Sequence, residues 1–199
     1  MGPRGGRVEP KDDAPQRSDA QRNRERILEV ALAELTCSPD VPLSVIARKA
    51  GVGQGTFYRN FPSREALVLE IHRREVRQLT DGAAELLAVR DPARALREWM
   101  DRLAEFAMAK TGLADALRQA TSATGGPARP GYSLVVAAIE LLLDANHKAG
   151  TIRPGVTADD FVLAIAGIFQ IDPNGDWRPQ ATRLLDLVMD GLRAGAPSR

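Results

Sequence analysis

Apolar residues recur at three- and four-residue spacing in almost every segment after Ser18, and no convincing alternation of polar and apolar residues marks a strand. This pattern predicts an all-α protein with three short helices followed by about six longer ones. The helices with the clearest limits are expected at residues 43–50, 54–60, 113–123 and 132–149.

Polar residues whose side chains can accept hydrogen bonds from backbone N–H groups lie where several helices are expected to begin. The predicted caps are Ser18 (with Gln21), Ser63, Asp91 (before Pro92) and Thr157 (with Asp160). Ser63 is expected to begin a long fourth helix that runs to about Val89. Because three short helices bury little apolar surface by themselves, the small N-terminal domain is expected to pack against that fourth helix.

The composition is that of a soluble globular protein, with 44% hydrophobic and 27% charged residues. No apolar run approaches 18 residues, so no membrane span is expected. The single cysteine, Cys37, fits a reducing cytoplasm. A net charge of +1 means that any affinity for nucleic acid has to come from a local patch of charge. Residues 1–18 are rich in Gly, Pro, Arg and Asp and are predicted to form a disordered tail.

Residue types with catalytic or metal-binding chemistry are scarce. Two histidines, His72 and His147, and one cysteine cannot form a usual zinc site without carboxylates. No Gly-rich phosphate loop follows a strand, and no Ser or Cys stands in a recognisable nucleophile elbow. We therefore expect no enzymatic activity, no metal site and no cofactor.

Residues 46–61 predict a helix, a tight turn and a second short helix. Gly51 can adopt the left-handed conformation that ends the first of these helices, while the small Ala47 leaves room for the second. Glycines at 53 and 55 keep side-chain bulk low, so that backbone N–H groups can approach a phosphate. The second helix has polar residues on one side and apolar residues on the other, as a helix in the major groove of DNA requires.

The polar residues of this motif are candidate contacts to double-stranded DNA. The amide of Gln54 suits adenine, Arg59 can reach guanine or phosphate, and Tyr58 offers a hydroxyl to phosphate. The full candidate set is Arg22, Ser44, Gln54, Gly55, Thr56, Tyr58, Arg59, Asn60 and Arg64.

Simpler interpretations stay open for several of these side chains. Gln54 could be only a soluble residue at a helix start, and the ring of Tyr58 could pack on the first helix. The arginines at the first helix are candidate phosphate or minor-groove contacts, but acidic residues alternate with them, so a solvated face of mixed charge explains them equally well. These arginines are Arg17, Arg22, Arg24 and Arg26.

The sequence from about residue 20 to 70 resembles the TetR family of transcriptional regulators. The resemblance lies in residues 24–27, 46–47, 50–52, 55–58, 61–63 and 65–67, which agree with the family in spacing and residue class. It implies a three-helix DNA-binding domain, a C-terminal ligand-binding and dimerisation domain of about six helices, and a homodimer on a palindromic operator. We divide the chain into the tail 1–18, a helix-turn-helix domain 19–66 and a C-terminal domain 67–199.

Three positions depart from the family pattern. Pro42 stands where Thr or Ser often caps the second helix, and Ser44 is short where a longer contacting side chain is common. Gly53 replaces a frequent polar residue. We therefore expect fewer DNA contacts from the second helix and the turn, and more from Gln54, Tyr58 and Arg59.

The C-terminal domain is predicted to hold a pocket. The helix at residues 132–149 is apolar on several sides, which indicates a central position or a wall shared between core and pocket. Candidate lining residues are Trp99, Leu103, Phe106, Leu117 and Ile139. Simple core packing explains each of them at least as well. Ser122, Thr124 and His147 are candidate polar anchors, although the charge of His147 could equally stabilise a helix end.

These observations favour a ligand-responsive repressor that binds a palindromic operator as a homodimer through its last two helices, with a small apolar or amphipathic effector. One alternative is a small-molecule sensing module whose DNA binding is weak or lost. Another is an activator that uses the same helix. The sequence does not separate activation from repression.

Overall fold

The computed structural model describes residues 14–124, 131–173 and 175–197. Within these residues it has nine α-helices and one short 3₁₀ helix, and no strand, so the all-α prediction is confirmed. The helices are α1 (Ala14–Cys37), α2 (Leu43–Lys49), α3 (Gln54–Asn60), α4 (Arg64–Val89), α5 (Pro92–Gly112), α6 (Ala114–Thr124), α7 (Tyr132–Ala149), α8 (Ala158–Ile165), the 3₁₀ helix (Ala166–Gln170) and α9 (Trp177–Arg193).

Three of the helices begin at caps that the sequence predicts. Ser63 Oγ accepts a hydrogen bond from the N–H of Ala66 at 3.2 Å, and Asp91 Oδ1 accepts one from the N–H of Arg94 at 3.0 Å. At the start of α8, Thr157 and Asp160 form a complete capping box. These three predictions are confirmed.

Two helix limits differ from the sequence prediction. The helix α1 begins at Ala14, so Ser18 lies inside the helix rather than before it. Pro15 suits a first helical turn, where its missing N–H would have had no helical partner. Residues 1–13 of the predicted tail lie outside the described residues. The spacing of Phe161, Ile165 and Phe169 predicts a single eighth helix, but α8 ends at Ile165 and continues as a 3₁₀ helix that contains Gly167, a weak former of α-helix.

The buried side chains form two hydrophobic clusters. The first lies among α1, α2, α3 and the start of α4, and the second lies among α4, α5, α7, α8 and α9. Leu67, Val68 and Ile71 of α4 belong to the first cluster, while Val76 and Leu79, further along the same helix, belong to the second. As expected, the small domain packs on the fourth helix.

The helix α6 packs on the N-terminal side of the molecule. Its residues Leu117 and Ala120, with Leu113 just before it, are buried in the first cluster. The domain boundary after residue 66 stays a prediction. It assigns nearly all of α4 and all of α6 to the C-terminal domain, although both helices contribute side chains to the first cluster. Among the described residues, no helix combines the length and apolar character needed to cross a bilayer.

Candidate nucleic-acid interface and cavity

A tight turn joins α2 to α3. Gly51 has a φ of +65°, in the left-handed region, and its N–H donates to the carbonyl of Arg48 at 3.0 Å. The N–H of Val52 then donates to the carbonyl of Ala47 at 3.1 Å. A Cβ on Gly51 would lie 3.7 Å from its nearest neighbour, so glycine is favoured here by the backbone conformation and not by lack of space.

The helix α3 has one buried and one exposed face. Phe57 is fully buried, and Phe61 just after the helix is almost fully buried. The exposed positions of α3 are Gln54, Gly55, Tyr58 and Arg59, which lie at helical spacing on the opposite side. The Tyr58 side chain is 46% exposed, with its ring edge-on to Phe57 at a centroid distance of 5.7 Å. The helix therefore presents an amide, a phenol and a guanidinium to solvent.

Thr56 and Asn60 are less available than these three side chains, because both are partly buried and bonded within α3. The Asn60 side-chain amide donates to the carbonyl of Thr56 at 2.9 Å. The Thr56 hydroxyl accepts from Arg59 at 3.1 Å. The polar face thus depends on Gln54, Tyr58 and Arg59.

On α2, Ser44 and Arg48 are exposed one turn apart and so share a face. Lys49 is held by an ion pair with Glu34 of α1 at 2.6 Å. Pro42 is the N-cap of α2, and no side chain caps this helix. Arg48 and Arg59 are therefore the exposed cations of α2 and α3 that are not paired with a carboxylate among the described residues.

Arg64 has an internal role that the sequence did not indicate. Its guanidinium donates to the carbonyl of Pro39 at 2.8 Å and to the carbonyl of Val41. It thereby holds the loop between α1 and α2 against the start of α4. A phosphate contact by Arg64 stays a prediction, and it would have to compete with these two hydrogen bonds.

The arginines of α1 are engaged by neighbouring residues. Arg22 forms an exposed ion pair with Asp19, and Arg26 donates to the side chain of Asn23 at 3.1 Å. Both contacts are those of a solvated helix face with mixed charge. The side chain of Arg17 lies outside the described residues. Arg24 makes contacts to two other helices.

A cavity of about 300 Å³ lies in the C-terminal part of the molecule, where α4, α5, α7 and α8 meet. Of the predicted lining residues, Leu103, Phe106 and Ile139 line it. The other lining residues are His72, Val76, Gly131, Tyr132, Val135, Val162, Ile165, Ala166 and Phe169. The lining is mostly apolar with a few polar groups, as is usual for small-molecule sites, and the volume is at the lower end of their range.

Trp99 and Leu117 do not line this cavity, contrary to the sequence prediction. Trp99 is fully buried in the second cluster, where its indole N–H donates to the carbonyl of Leu79 at 2.9 Å. Leu117 lies on α6, which packs in the first cluster. It lines a much smaller cavity of about 10 Å³ together with Leu32, Val68 and Leu113.

His72 and Tyr132 are polar residues of the cavity wall that sequence reasoning missed. His72 is buried on α4, and its ring centroid lies 6.1 Å from that of Phe106. His72 and Val76 are four residues apart and therefore lie on one face of α4, and this spacing is the sequence feature that would have identified His72. Of the predicted polar anchors, Ser122 is exposed and His147 does not line the cavity, while the side chain of Thr124 lies outside the described residues.

A helix-turn-helix unit with an exposed polar helix, attached to a larger helical domain, is the architecture of a DNA-binding transcription regulator. Residues 39–71 match the model of bacterial regulatory proteins of the tetR family, and residues 91–194 match the model of the C-terminal domain of SbtR-like transcriptional regulators. The chain belongs to the TetR family of transcriptional regulators.

Two solved structures are similar over most of the chain. The TetR transcriptional regulator SCO0520 from Streptomyces coelicolor is 46% identical, with a TM-score of 0.78, over 85% of this chain and 98% of that one. A TetR transcription regulatory protein from Mycobacterium vanbaalenii is 34% identical, with a TM-score of 0.71, over 90% of this chain and 99% of that one. No curated protein matches the chain.

Proposed function

We propose that this regulator is a ligand-responsive repressor that binds a palindromic operator as a homodimer. The observation that carries the proposal is the two-sided helix α3, with Phe57 buried and Gln54, Tyr58 and Arg59 exposed. Such a helix is fixed to the domain by one face and free to enter a major groove with the other.

Two glycines next to this face support a close approach to DNA. A Cβ added to Gly53 or Gly55 would meet no atom within 4 Å, and neither residue has a positive φ. No contact among residues 14–124, 131–173 and 175–197 therefore requires glycine at these positions. A requirement from outside the protein, the close approach of a phosphate backbone to the N–H groups, would explain both.

The DNA-binding part is tested by selecting genomic fragments with the purified protein and measuring the affinity of the selected sites. The double variant Tyr58→Ala, Arg59→Ala should lose most of this affinity, because it removes a hydroxyl and a cation from each copy of α3. Arg94→Ala, which removes an exposed cation from α5, is the control and should bind as the wild type does. Unchanged affinity in the double variant would refute the role given to α3, and failure to select any fragment would favour the sensing module without DNA binding.

Dimerisation through α8 and α9 is supported by exposed leucines. Leu163 on α8 is 75% exposed and Leu187 on α9 is 70% exposed, next to the half-buried Leu184 and Val188. The double variant Leu163→Glu, Leu187→Glu should sediment as a monomer, because a dimer would bury two carboxylates per subunit without partners. Leu141→Glu, at another exposed leucine on α7, is the matched control. Dissociation by the control alone would place the interface elsewhere.

The cavity supports a small, mostly apolar effector, with His72 and Tyr132 as the polar groups that orient it. A neutral fluorescent probe, N-phenyl-1-naphthylamine, should brighten on entering the cavity. Ile139→Trp fills the cavity and should abolish the increase, while Leu141→Trp, on the exposed side of the same helix, should preserve it. Equal fluorescence in both variants would show that the probe binds elsewhere.

A further inference from the structure

Arg24 lies where three helices of the DNA-binding region meet. Its guanidinium carbon is 4.7 Å from the centroid of the Phe61 ring, within the range of a cation–π contact. One of its N–H groups donates to the carbonyl of Asn60 at 3.5 Å. Another nitrogen lies 3.4 Å from a carboxylate oxygen of Glu70 on α4. A single side chain on α1 therefore contacts the C-terminal end of α3 and the first turns of α4.

Among the described residues, Glu70 is the only carboxylate within ion-pair distance of Arg24. Two further arginines also form ion pairs with it. Arg73 and Arg77 each lie 3.3 Å from its oxygens. Its side chain is 17% exposed, while that of Arg24 is 32% exposed. Burial raises the pKa of the Glu70 carboxyl, but hydrogen bonds from Arg73 and Arg77 and the charge of Arg24 outweigh it, so the pKa lies below its ordinary value. Glu70 is therefore ionised at neutral pH.

The helix α3 is short, with seven residues, and its N-cap residue is Gly53, which has no side chain to cap it. Its apolar contacts come from Phe57 and from Phe61 at its C-terminal end, and the ring of Phe61 is the one that Arg24 covers. A cation next to the last carbonyl of a helix is also favoured by the helix dipole.

We propose that Arg24 and Glu70 are positioning residues that fix the angle between α3 and α4, and so set operator affinity without contacting DNA. This inference rests on the proposed DNA binding. The junction is formed by Arg24, Glu70, the ring of Phe61 and the carbonyl of Asn60. It joins the helix that enters the groove to the helix that continues into the effector cavity.

The competing hypothesis is that Arg24 contacts a phosphate, and the two hypotheses predict opposite effects for Glu70→Gln. If Arg24 binds phosphate, removing the carboxylate frees a cation and operator binding becomes tighter. If Arg24 positions α3, the same change loosens the junction and binding becomes weaker. Side chains in one ion-pair network usually couple by roughly twofold to a hundredfold in an equilibrium constant, so we expect a loss of about fivefold or more.

Two further variants separate charge from geometry. Glu140→Gln removes one negative charge from an exposed site on α7 and should leave operator affinity unchanged. Arg24→Lys keeps the charge but has one compact ammonium group, which cannot cover the Phe61 ring and reach both oxygens as a planar guanidinium does. The junction predicts that Arg24→Lys binds the operator as weakly as Glu70→Gln does, whereas a phosphate contact would largely survive the change.

The experiment measures the operator affinity of the full-length variants against salt concentration, with thermal unfolding to verify that each is folded at the assay temperature. The junction predicts weaker operator binding by Glu70→Gln with an unchanged salt dependence, because no phosphate contact is lost. Unchanged or tighter binding would overturn it.

A second measurement does not need DNA and therefore separates this proposal from the proposed function. Hydrogen exchange of the backbone amides of residues 57–61 should be faster in Glu70→Gln than in the wild type, while exchange in α7 should not change. Equal exchange at residues 57–61 would refute the junction even if the protein bound no operator. A wild type without specific DNA binding, but with this change in exchange, would refute only the proposed function.

Discussion

Asn146 provides the sharpest test of how the C-terminal domain is held together. It is fully buried on α7, and its side-chain amide donates to the carbonyl of Pro92 at 2.9 Å and to that of Leu142 at 2.8 Å. Its side-chain oxygen accepts from the hydroxyl of Thr151 at 2.6 Å. The bond to Pro92 joins the end of α7 to the start of α5, two helices that line the cavity.

The substitution Asn146→Asp keeps the shape of the side chain but removes both donors. At pH 7.5 a buried carboxylate would face two carbonyl oxygens, which should cost about 3–5 kcal/mol, the usual penalty for a buried charge without an opposite charge beside it. For a chain of this size each kcal/mol lowers the melting temperature by about 2–4 °C, so a decrease of about 6–20 °C is expected. The matched control is Asn60→Asp, at a partly buried asparagine with one amide bond, which should cost about 1 kcal/mol.

The sign of the pH dependence follows from the same geometry. Burial and the two carbonyl oxygens raise the pKa of the introduced carboxyl above its unfolded value of about 3.9. The variant should therefore recover stability relative to the wild type as the pH falls, because the neutral acid can donate one of the two lost bonds. Near pH 4 the remaining deficit should be about 1–2 kcal/mol. Urea unfolding at several pH values measures this, and a difference below about 1 kcal/mol at pH 7.5, or one that grows in acid, would refute the reasoning.

Four further substitutions have defined outcomes. Gly51→Ala should destabilise the protein by about 1 kcal/mol because of its φ of +65°, whereas Gly55→Ala, with open space around the added Cβ, should not lower the melting temperature but should weaken operator binding. Ser63→Ala removes the cap of α4 and should cost about 1 kcal/mol in urea unfolding. Burial, opposed by the charge of Arg74, raises the pKa of Glu75. Ionisation of Glu75 therefore destabilises the folded state as the pH rises through the folded pKa. Glu75→Gln should be more stable than the wild type at pH 7.5, and the difference should be smaller at pH 4.

The sequence alone predicted the elements that depend on local chemistry. The limits of α3 and α7 agree with the prediction, because each helix is bounded by a strong break such as Gly53 or Gly150. The turn at Gly51 and the cap at Ser63 were predictable for the same reason. In each case the interacting groups lie within about five residues of one another along the chain.

The contacts that sequence reasoning missed join residues far apart in the chain. A DNA contact by Arg64 stays a prediction, and the structure adds two hydrogen bonds from its guanidinium to carbonyls 23 and 25 residues earlier. At the end of α7 the sequence indicates His147 as a candidate, whereas its neighbour Asn146 is fully buried and donates a hydrogen bond to the carbonyl of Pro92, 54 residues earlier. A local pattern of polar and apolar residues contains no information about such partners. The same reason explains why the contacts of Arg24 appear only in the structure.

The location of His72 and Phe106 indicates how the binding of an effector could change the position of the DNA-binding helices. Both side chains line the cavity of about 300 Å³, and both also line the cavity of about 10 Å³, whose lining includes Leu32 of α1 and Leu117 of α6. Protein interiors are packed too densely to absorb a displaced ring, and the smaller cavity offers almost no free space. In the proposed effector response, a molecule that fills the larger cavity and displaces either ring would therefore press on the side chains that line the smaller cavity, including those of α1 and α6. Because α1 also contains Arg24, a displacement of α1 would act on the same junction that fixes α3.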